Sequence, residues 1–540
     1  MTKSNSAKIA SQQKPDYVVR FAKPAGTEIK HIGKYWYLYE RLSRYDPEIG
    51  RSRKVSGKCL GKLTENGLVP TVRRLRSTSD MKISDTVDAG TAAFYWHRTA
   101  QMRQRLSKHF PDLWQWIYAT AIIRAAQECR FQCLGVHYEN SLLSYMYPDL
   151  LYSPSAVSSM LDSIGRCREQ IAAYMKEDVS SSGRFVLFDG HRLVTASGTM
   201  ELLEKAQDCK RRFVLENNLI CVYSLSGSVG APVYYKQFAR SMPDAVAFSD
   251  ILKECGLEGS DCTVIADKGF GSEVDFQLMD DFNLKLISPL ERGNRFVTGK
   301  VPSSPSQYQH CYIWHGRAIF ASVIEQEGDA IHLYYDTQLY ADETADAVAS
   351  MEKRNNTTAK KIEMEKLRRS RGETQLSDEE LAKLTPRGVA DIYADGSQMG
   401  TIMIRTNRMD LKSEEVYAVY KRRQAIEEYF EMYGNRMELE ASFIRNQTDQ
   451  EAWLFLNHLS SSIGISVIED LGKIEEGKPV SFNDLNAALA RITASKVGKE
   501  WQIAPVKQAT GNILNKVGFK IEDLNIESLV KRARSARQRA

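Results

Sequence analysis

Residues 184–190 read RFVLFDG and residues 262–272 read CTVIADKGFGS. Each is a compact apolar run closed by an acid, Asp189 in the first and Asp267 in the second, with a glycine close behind. Short continuous apolar runs bounded by turn residues predict buried strands. Between them LICVYSLS (219–226) and APVYYKQFA (231–239) predict two more strands, joined through the glycine-containing GSVG. PDAVAFSDILKECG (243–256) predicts a helix with a glycine stop. Three strands, a helix and a fourth strand argue for an α/β layer fold with its acids at strand ends.

Downstream, residues 283–410 interrupt this pattern. CYIWHGRAIFASVIEQEGDAIHLYYD (311–336) alternates like a β-meander, residues 351–384 are strongly charged and helical in pattern, and MGTIMIRTN (399–407) reads as another strand. LKSEEVYAVYKRRQAIEEYFEMYGNRM (411–437) then reads as one long amphipathic helix, and AWLFLNHLSSSIGISVIEDLG (452–472) and onward as helical. Upstream, residues 1–16 are polar and read as a disordered tail. KYWYLYERLSRYDPEIGRSRKVSGKCLGKL (34–63) reads as short strands around a turn at Asp46-Pro47, and residues 86–180 are helical in pattern, one helix opening at Ser153-Pro154. The expected division is therefore a tail (1–16), a β-rich N-terminal region (17–85), a helical DNA-binding region (86–182), and the first part of an α/β core (183–282). A β-rich insertion with a charged helical arm (283–410), the second part of the core (411–470) and a helical C-terminal region with a basic tail (471–540) follow.

Of 540 residues, 43% are hydrophobic and 26% charged, as in a soluble globular protein with sizeable cores. No apolar run approaches the ~18 residues of a membrane helix, and the polar opening lacks the apolar stretch of a signal peptide, so a cytoplasmic protein without a membrane partner is expected. The net charge of +5 is unevenly spread: residues 1–150 hold 24 Lys+Arg against 13 Asp+Glu, which leaves 49 against 55 for the remainder. A basic first quarter, and a basic tract VKRARSARQRA at 530–540, suit a polyanion, or else simply a solvated surface. Nine scattered cysteines without a CxxC pair argue against a disulfide framework or a zinc ribbon. Cys129, Cys133 and His137 are spaced to share a helix face and could form half a metal site, though small buried thiols are the simpler reading.

Each acid alone reads more readily as a strand-to-loop aspartate than as a catalytic one. Two on adjacent strands say more, because hard divalent cations take oxygen ligands, and two ions about 4 Å apart clamp the attacking and leaving oxygens of a phosphodiester. The long helix offers a third: Tyr420, Arg423 and Glu427 stand at i, i+3 and i+7, along one helical face. Arg423 suits a bidentate grip on phosphate while Glu427 reaches a metal. Trp314 and His315 in the interruption read as meander core or turn, with base stacking as the alternative.

Taken in order, FDGH, VIADKGFGS, RTN and the Y-x2-R-x3-E of YKRRQAIEEYF resemble the DDE insertion-sequence transposases, specifically the IS four group, over roughly residues 180–470. The resemblance implies an RNase H-like catalytic core interrupted by a β-strand insertion, and metal-dependent cleavage at terminal inverted repeats followed by strand transfer into target DNA. It implies that Asp189, Asp267 and Glu427 are catalytic and hold two Mg²⁺, with Mn²⁺ as substitute, and that Tyr420 and Arg423 contact DNA phosphate. Lys268 and His191 adjoin the acids and are candidate phosphate contacts. The family places a lysine seven residues after the glutamate; here that position is Gly434, and Arg436 is the nearest base. The implied setting is a prokaryotic, nucleoid-associated enzyme on double-stranded DNA, both transposon ends and target, working as a homodimer in the synaptic complex, through residues 450–540. The alternatives are a domesticated, inactive DNA-binding derivative and a stand-alone RNase H-like nuclease.

Overall fold

A computed structural model describes residues 14–46, 50–70, 85–127, 129–181, 183–195, 197, 199–207, 212–225, 230–266, 273–326, 328–373, 375–395, 398–423, 441–442, 444, 446–474, 479–498 and 500–536. The chain divides into two compact units, Met1–Ser84 and Asp85–Ala540. In the first, β1 (Thr27–Ile32), β2 (Tyr35–Asp46), β3 (Arg51–Thr64) and β4 (Gly67–Pro70) form an antiparallel meander in that order. The aromatic run of β2 has a physical purpose: Trp36 and Leu63 pair across β2 and β3 and bury with Val18 in a small core of their own. These strands are 12 and 14 residues long, not short.

The second unit is mixed α/β around one large sheet. Its strands are β6 (Phe185–Thr195), β7 (Glu204–Gln207), β8 (Phe213–Ser224), β9 (Ala231–Phe238), β10 (Thr263–Ala266), β11 (Lys285–Pro289), β12 (His310–Trp314), β13 (Arg317–Gln326), β14 (Asp329–Asp336), β15 (Thr401–Thr406) and β16 (Ala441–Ser442). Along its main path the order is β12-β13-β14-β15-β11-β10-β6-β8-β7, with β9 also on β8 and β16 also on β6. At the centre β10 and β11 run parallel to β6, while β8 and β9 alternate antiparallel beyond it. All four residues of β10, TVIA, are buried, as an inner strand covered on both faces requires. The helix between β9 and β10, Asp244–Cys255, ends as predicted on Gly256, whose φ of 79° suits the left-handed cap. Its Phe248 packs edge-on against Phe188 at 4.8 Å.

The predicted meander and the strand of residues 401–406 join the main sheet: β15 hydrogen-bonds β11 directly, and β12–β14 extend it. One sequence expectation changes here: the C-terminal region is not wholly helical. A hairpin, β17 (Thr493–Val497) and β18 (Glu500–Ile503), pairs with β5 (Asp85–Asp88) from the beginning of the unit. TASKV carries no long apolar run, and its partner lies some four hundred residues away, so no local pattern could reveal the pairing.

The helices of residues 90–181 share one core with the C-terminal part. Gln447–Gly472 is buried almost all round over residues 450–460, and it packs on Pro154–Gly165 and Trp114–Ala126. A helix apolar on every side belongs inside a core. Its polar residues are held from neighbouring elements: Arg124 Nη2 donates to Asn457 Oδ1 at 2.8 Å, and Ser460 Oγ to the carbonyl of Ala121 at 3.2 Å. Residues 450–460, part of the stretch expected at a dimer contact, are thus consumed by the chain's own interior. Cys129 precedes a short 3₁₀ turn, Phe131–Cys133, rather than sharing a helix face with Cys133 and His137. No group of three His, Cys, Asp or Glu among the described residues could hold a metal ion, and no described helix is long and apolar enough to cross a membrane.

His458 on that helix is 7% exposed, and burial pushes its pKa down to about 3, with the Arg105 guanidinium adding to the effect. The folded value lies below the ordinary 6.5, so the unfolded chain takes up the proton first. The associated stability is complete above pH 6.5 and is lost as pH falls toward 3. At pH 5 the cost is about 2 kcal/mol. His458→Gln is therefore expected to shrink the stability difference between pH 7.5 and pH 5 by about that amount in urea titrations; an unchanged difference would refute the assignment.

Candidate active site

Asp189 lies in the middle of β6, not at its end. The Asp-Gly pair reads locally as a stop, but β8 supplies a ladder partner well past it: Asp189 faces Cys221, His191 faces Leu219, and the pairing continues to Thr195 and Leu215. An antiparallel partner twelve residues long overrides the turn propensity. The Asp189 side chain is 14% exposed, with His191 Nε2 at 3.4 Å from its Oδ2. Two apart on a strand, these residues share a face. Burial lowers the His191 pKa, and the neighbouring carboxylate opposes that shift. The Cys221 thiol across the ladder is pushed up to about 12, by burial and, to a lesser degree, by the Asp189 charge.

The register carries this face across the sheet. Leu187 pairs with Ile265, Ile265 with Ile287, Ile287 with Thr406, and Ile404 with His332. Side chains two apart on a strand share a side, so Asp189, Tyr334 and His332 all point to the same layer. That layer holds the helix of residues 413–423. His332 Nδ1 lies 3.0 Å from Ser413 Oγ, Tyr334 OH donates to the Ser413 carbonyl at 2.7 Å, and Tyr417 OH donates to Asp336 Oδ2 at 2.6 Å. At the far end Arg422 Nη1 donates to the carbonyl of Leu225, just beyond β8, at 3.0 Å. The helix therefore crosses the sheet from β14 to β8 over the face that bears Asp189. Val416, Tyr417 and Val419 are buried beneath it, while Tyr420 and Arg423 are half-buried.

Of the residues singled out from sequence, Asp189 and His191 are adjacent, and Tyr420 and Arg423 ride the helix on their side of the sheet. Asp267, Lys268, Glu427, Gly434 and Arg436 lie outside the described residues, as do residues 227–229 of the GSVG turn. Trp314 packs edge-on against Tyr417 at 5.4 Å, and His315 has φ of +46° in the β12–β13 turn, so both serve core and turn. The RTN motif is a fastening between strands. Asn407 Oδ1 accepts from Leu286 N at 2.8 Å, Thr406 Oγ1 donates to the Leu286 carbonyl at 2.7 Å, and Arg405 pairs with Asp329 at 2.6 Å. Sequence reasoning missed the buried Asp336, which ties Tyr417 and Lys421 to the sheet and caps the helix that follows it. The signal was the Asp-Thr junction closing the apolar HLYY run, the strand-end acid pattern already applied to Asp189.

The sequence profile of the transposase DDE domain family matches residues 180–463. The chain belongs to that family. The expectation of a DDE transposase is met at this level, and the match spans both β6 and the helix crossing it. Among solved structures the chain is similar to piggyBac transposase in a synaptic complex with hairpin DNA, at a TM-score of 0.36 and 9% identity, over 86% of this chain and 87% of that one. At that TM-score the likeness carries no conclusion. No curated protein matches the DDE-family chain.

Proposed function

We propose that this transposase, of the IS four group, cleaves DNA at the terminal inverted repeats of an insertion sequence and joins the ends to target DNA, with Asp189, Asp267 and Glu427 as its catalytic triad. The observation that carries the reading is the half-buried Asp189 on the sheet face crossed by the helix of Tyr420 and Arg423. The central order β9-β8-β6-β10-β11, antiparallel on one side of β6 and parallel on the other, supports an RNase H-like core. Ala266, the last described residue of β10, pairs with Phe188, and Asp267 follows it in the sequence. Glu427 follows Arg423 by four residues.

Three carboxylates make an all-oxygen donor set, which fits Mg²⁺ or Mn²⁺. A pair of such ions, when bound, supplies Lewis acidity at the attacking and leaving oxygens of a phosphodiester. The chain's own groups do the rest. His191, kept toward its neutral form by burial, flanks the Asp189 carboxylate and restricts its orientation. Arg423 offers a planar fork to a phosphate and Tyr420 a hydroxyl donor. Lys268 is a further phosphate contact, and Arg436 takes the place of the signature lysine absent at Gly434. Two ends must be brought together, so a homodimer forms in the synaptic complex.

The test is cleavage of duplex DNA carrying the element's ends by the full chain, in Mg²⁺, in Mn²⁺ and in EDTA. Nicked ends in either ion and none in EDTA are expected. Cutting that persists in EDTA would sink the metal mechanism. End binding without cutting in any divalent ion would point to a domesticated derivative, and cutting without regard to end sequence to a stand-alone nuclease.

A further inference from the structure

Between β14 and β15 the chain leaves the sheet as a single helix of 34 residues, Thr337–Ser370, capped by Asp336. At 1.5 Å per residue it is about 50 Å long. Among its residues only Glu365 is fully buried. A helix this long without an apolar core face is kept for what its surface does.

The surface is sorted. One side is braced by the returning chain: Glu365 Oε1 accepts from the amides of Gln375 and Leu376 at 2.9 and 3.0 Å, and Asn355 exchanges hydrogen bonds with the backbone of Arg387 at 2.9 and 3.0 Å. Arg369 pairs with Asp378, next to a capping box at Ser377 and Glu380. At 100° per residue, positions 355, 358, 362, 365 and 369 form this braced stripe. The flank beside this stripe, an arc of about 120°, carries Lys353, Arg354, Lys360, Lys361 and Arg371. From position 350 to 371 this flank contains no acid: Glu352 and Glu363 lie on the other flank of the helix, and Asp342, Glu343 and Asp346 come before it, nearer the sheet. Lys353, Arg354, Lys360, Lys361 and Arg371 are exposed, and none has an ion-pair partner among the described residues. The basic stripe runs about 27 Å from Lys353 to Arg371, roughly four-fifths of one turn of a DNA duplex.

We propose that this stripe binds the phosphate backbone of duplex DNA without regard to sequence, as a second contact away from the cleavage site. The chemistry favours that polyanion: the cations are spread along a rigid rod rather than gathered in a pocket, and lysine and arginine on a helix face match a linear array of phosphates. The choice of DNA as the anion rests on the proposed transposase function; the stripe itself does not.

The experiment measures binding of the full chain to a 30-base-pair duplex of arbitrary sequence, in EDTA, as salt is raised. Changing all five cations to Gln is expected to make the slope of log affinity against log salt shallower by about four, near 0.9 for each phosphate that is no longer neutralised. Lys353→Arg, Lys360→Arg and Lys361→Arg together should leave the slope as in the wild type. Thr357→Cys, in the middle of the stripe and bearing a photo-crosslinker, should label both DNA strands. An unchanged slope in a five-site variant with native circular dichroism would overturn the proposal. So would loss of binding to anionic vesicles or an acidic peptide while duplex binding stays intact. Because the readout needs no metal and no cleavage, a dead triad with an intact slope would fell the catalytic reading alone.

Discussion

Asp189→Asn is expected to reduce DNA cleavage by the full chain at least about 10³-fold while leaving the fold unchanged. The substitution keeps size and shape but removes a negative charge from a position only 14% exposed on β6. Asparagine still fits opposite Cys221 in the ladder, because the side chain's volume is conserved and the backbone pairing does not involve it. What is lost is a hard anionic ligand, and with it charge stabilisation worth several kcal/mol at the reacting phosphate. A deficit of about 4 kcal/mol corresponds to the stated thousandfold. Asp267→Asn and Glu427→Gln should each fall as far, and the double substitution little further, because groups that act as a unit are strongly non-additive. Cleavage products on end-bearing duplex give the rate, and circular dichroism checks the fold. An Asp189→Asn protein that cuts like the wild type would remove Asp189 from the mechanism.

That residue also shows how far a sequence can be read. RFVLFDG announced a buried strand, and the strand is there; the extension through Thr195 was invisible because it depends on β8, whose pairing is non-local. Periodicity found the meander of β12–β14 and the second half of the long charged helix, which begins at Thr337, ahead of the stretch 351–384 read as helical, and ends at Ser370. It could not say that β15 would close onto β11, for a six-residue apolar strand fits any sheet edge of matching length. The hairpin β17–β18 went unread because a short, half-polar strand has no signature without its partner β5. For the site, spacing put Tyr420 and Arg423 on one helical face, while only the tertiary anchors at Ser413, Tyr417 and Arg422 show which sheet face that helix covers. Asp336 was overlooked for the opposite reason: it looks like the other strand-end acids and turns out to be a cap and a clamp.

Gly165→Ala should destabilise the protein by about 2–3 kcal/mol, against the usual sign for that exchange. In most helices replacing glycine with alanine is favourable by about 1 kcal/mol, because alanine has the higher helix propensity. Gly165 ends the helix Pro154–Gly165, where a Cβ would stand 1.8 Å from the Thr448 carbonyl oxygen and 2.6 Å from its carbon. Both atoms are backbone in the first turn of Gln447–Gly472, so no side-chain rotation relieves the clash. The two helices would have to part by more than an ångström; overpacking typically costs about 1–3 kcal/mol, and more where, as here, only backbone can yield, which outweighs the propensity gain. The shift would travel. Three residues on from Thr448, Glu451 is held by Tyr235 OH at 2.9 Å and Gln237 Nε2 at 2.8 Å, with Arg168 at 3.4 Å. Tyr235 pairs with Cys221, which faces Asp189. Gly511→Ala supplies the contrast, because a Cβ there meets nothing within 4 Å and should be neutral to mildly stabilising. Urea denaturation of both variants decides the matter. If Gly165→Ala is as stable as Gly511→Ala, the close approach of the two helices is wrong, and with it the packing that holds the Glu451 helix over the β8–β9 side of the site.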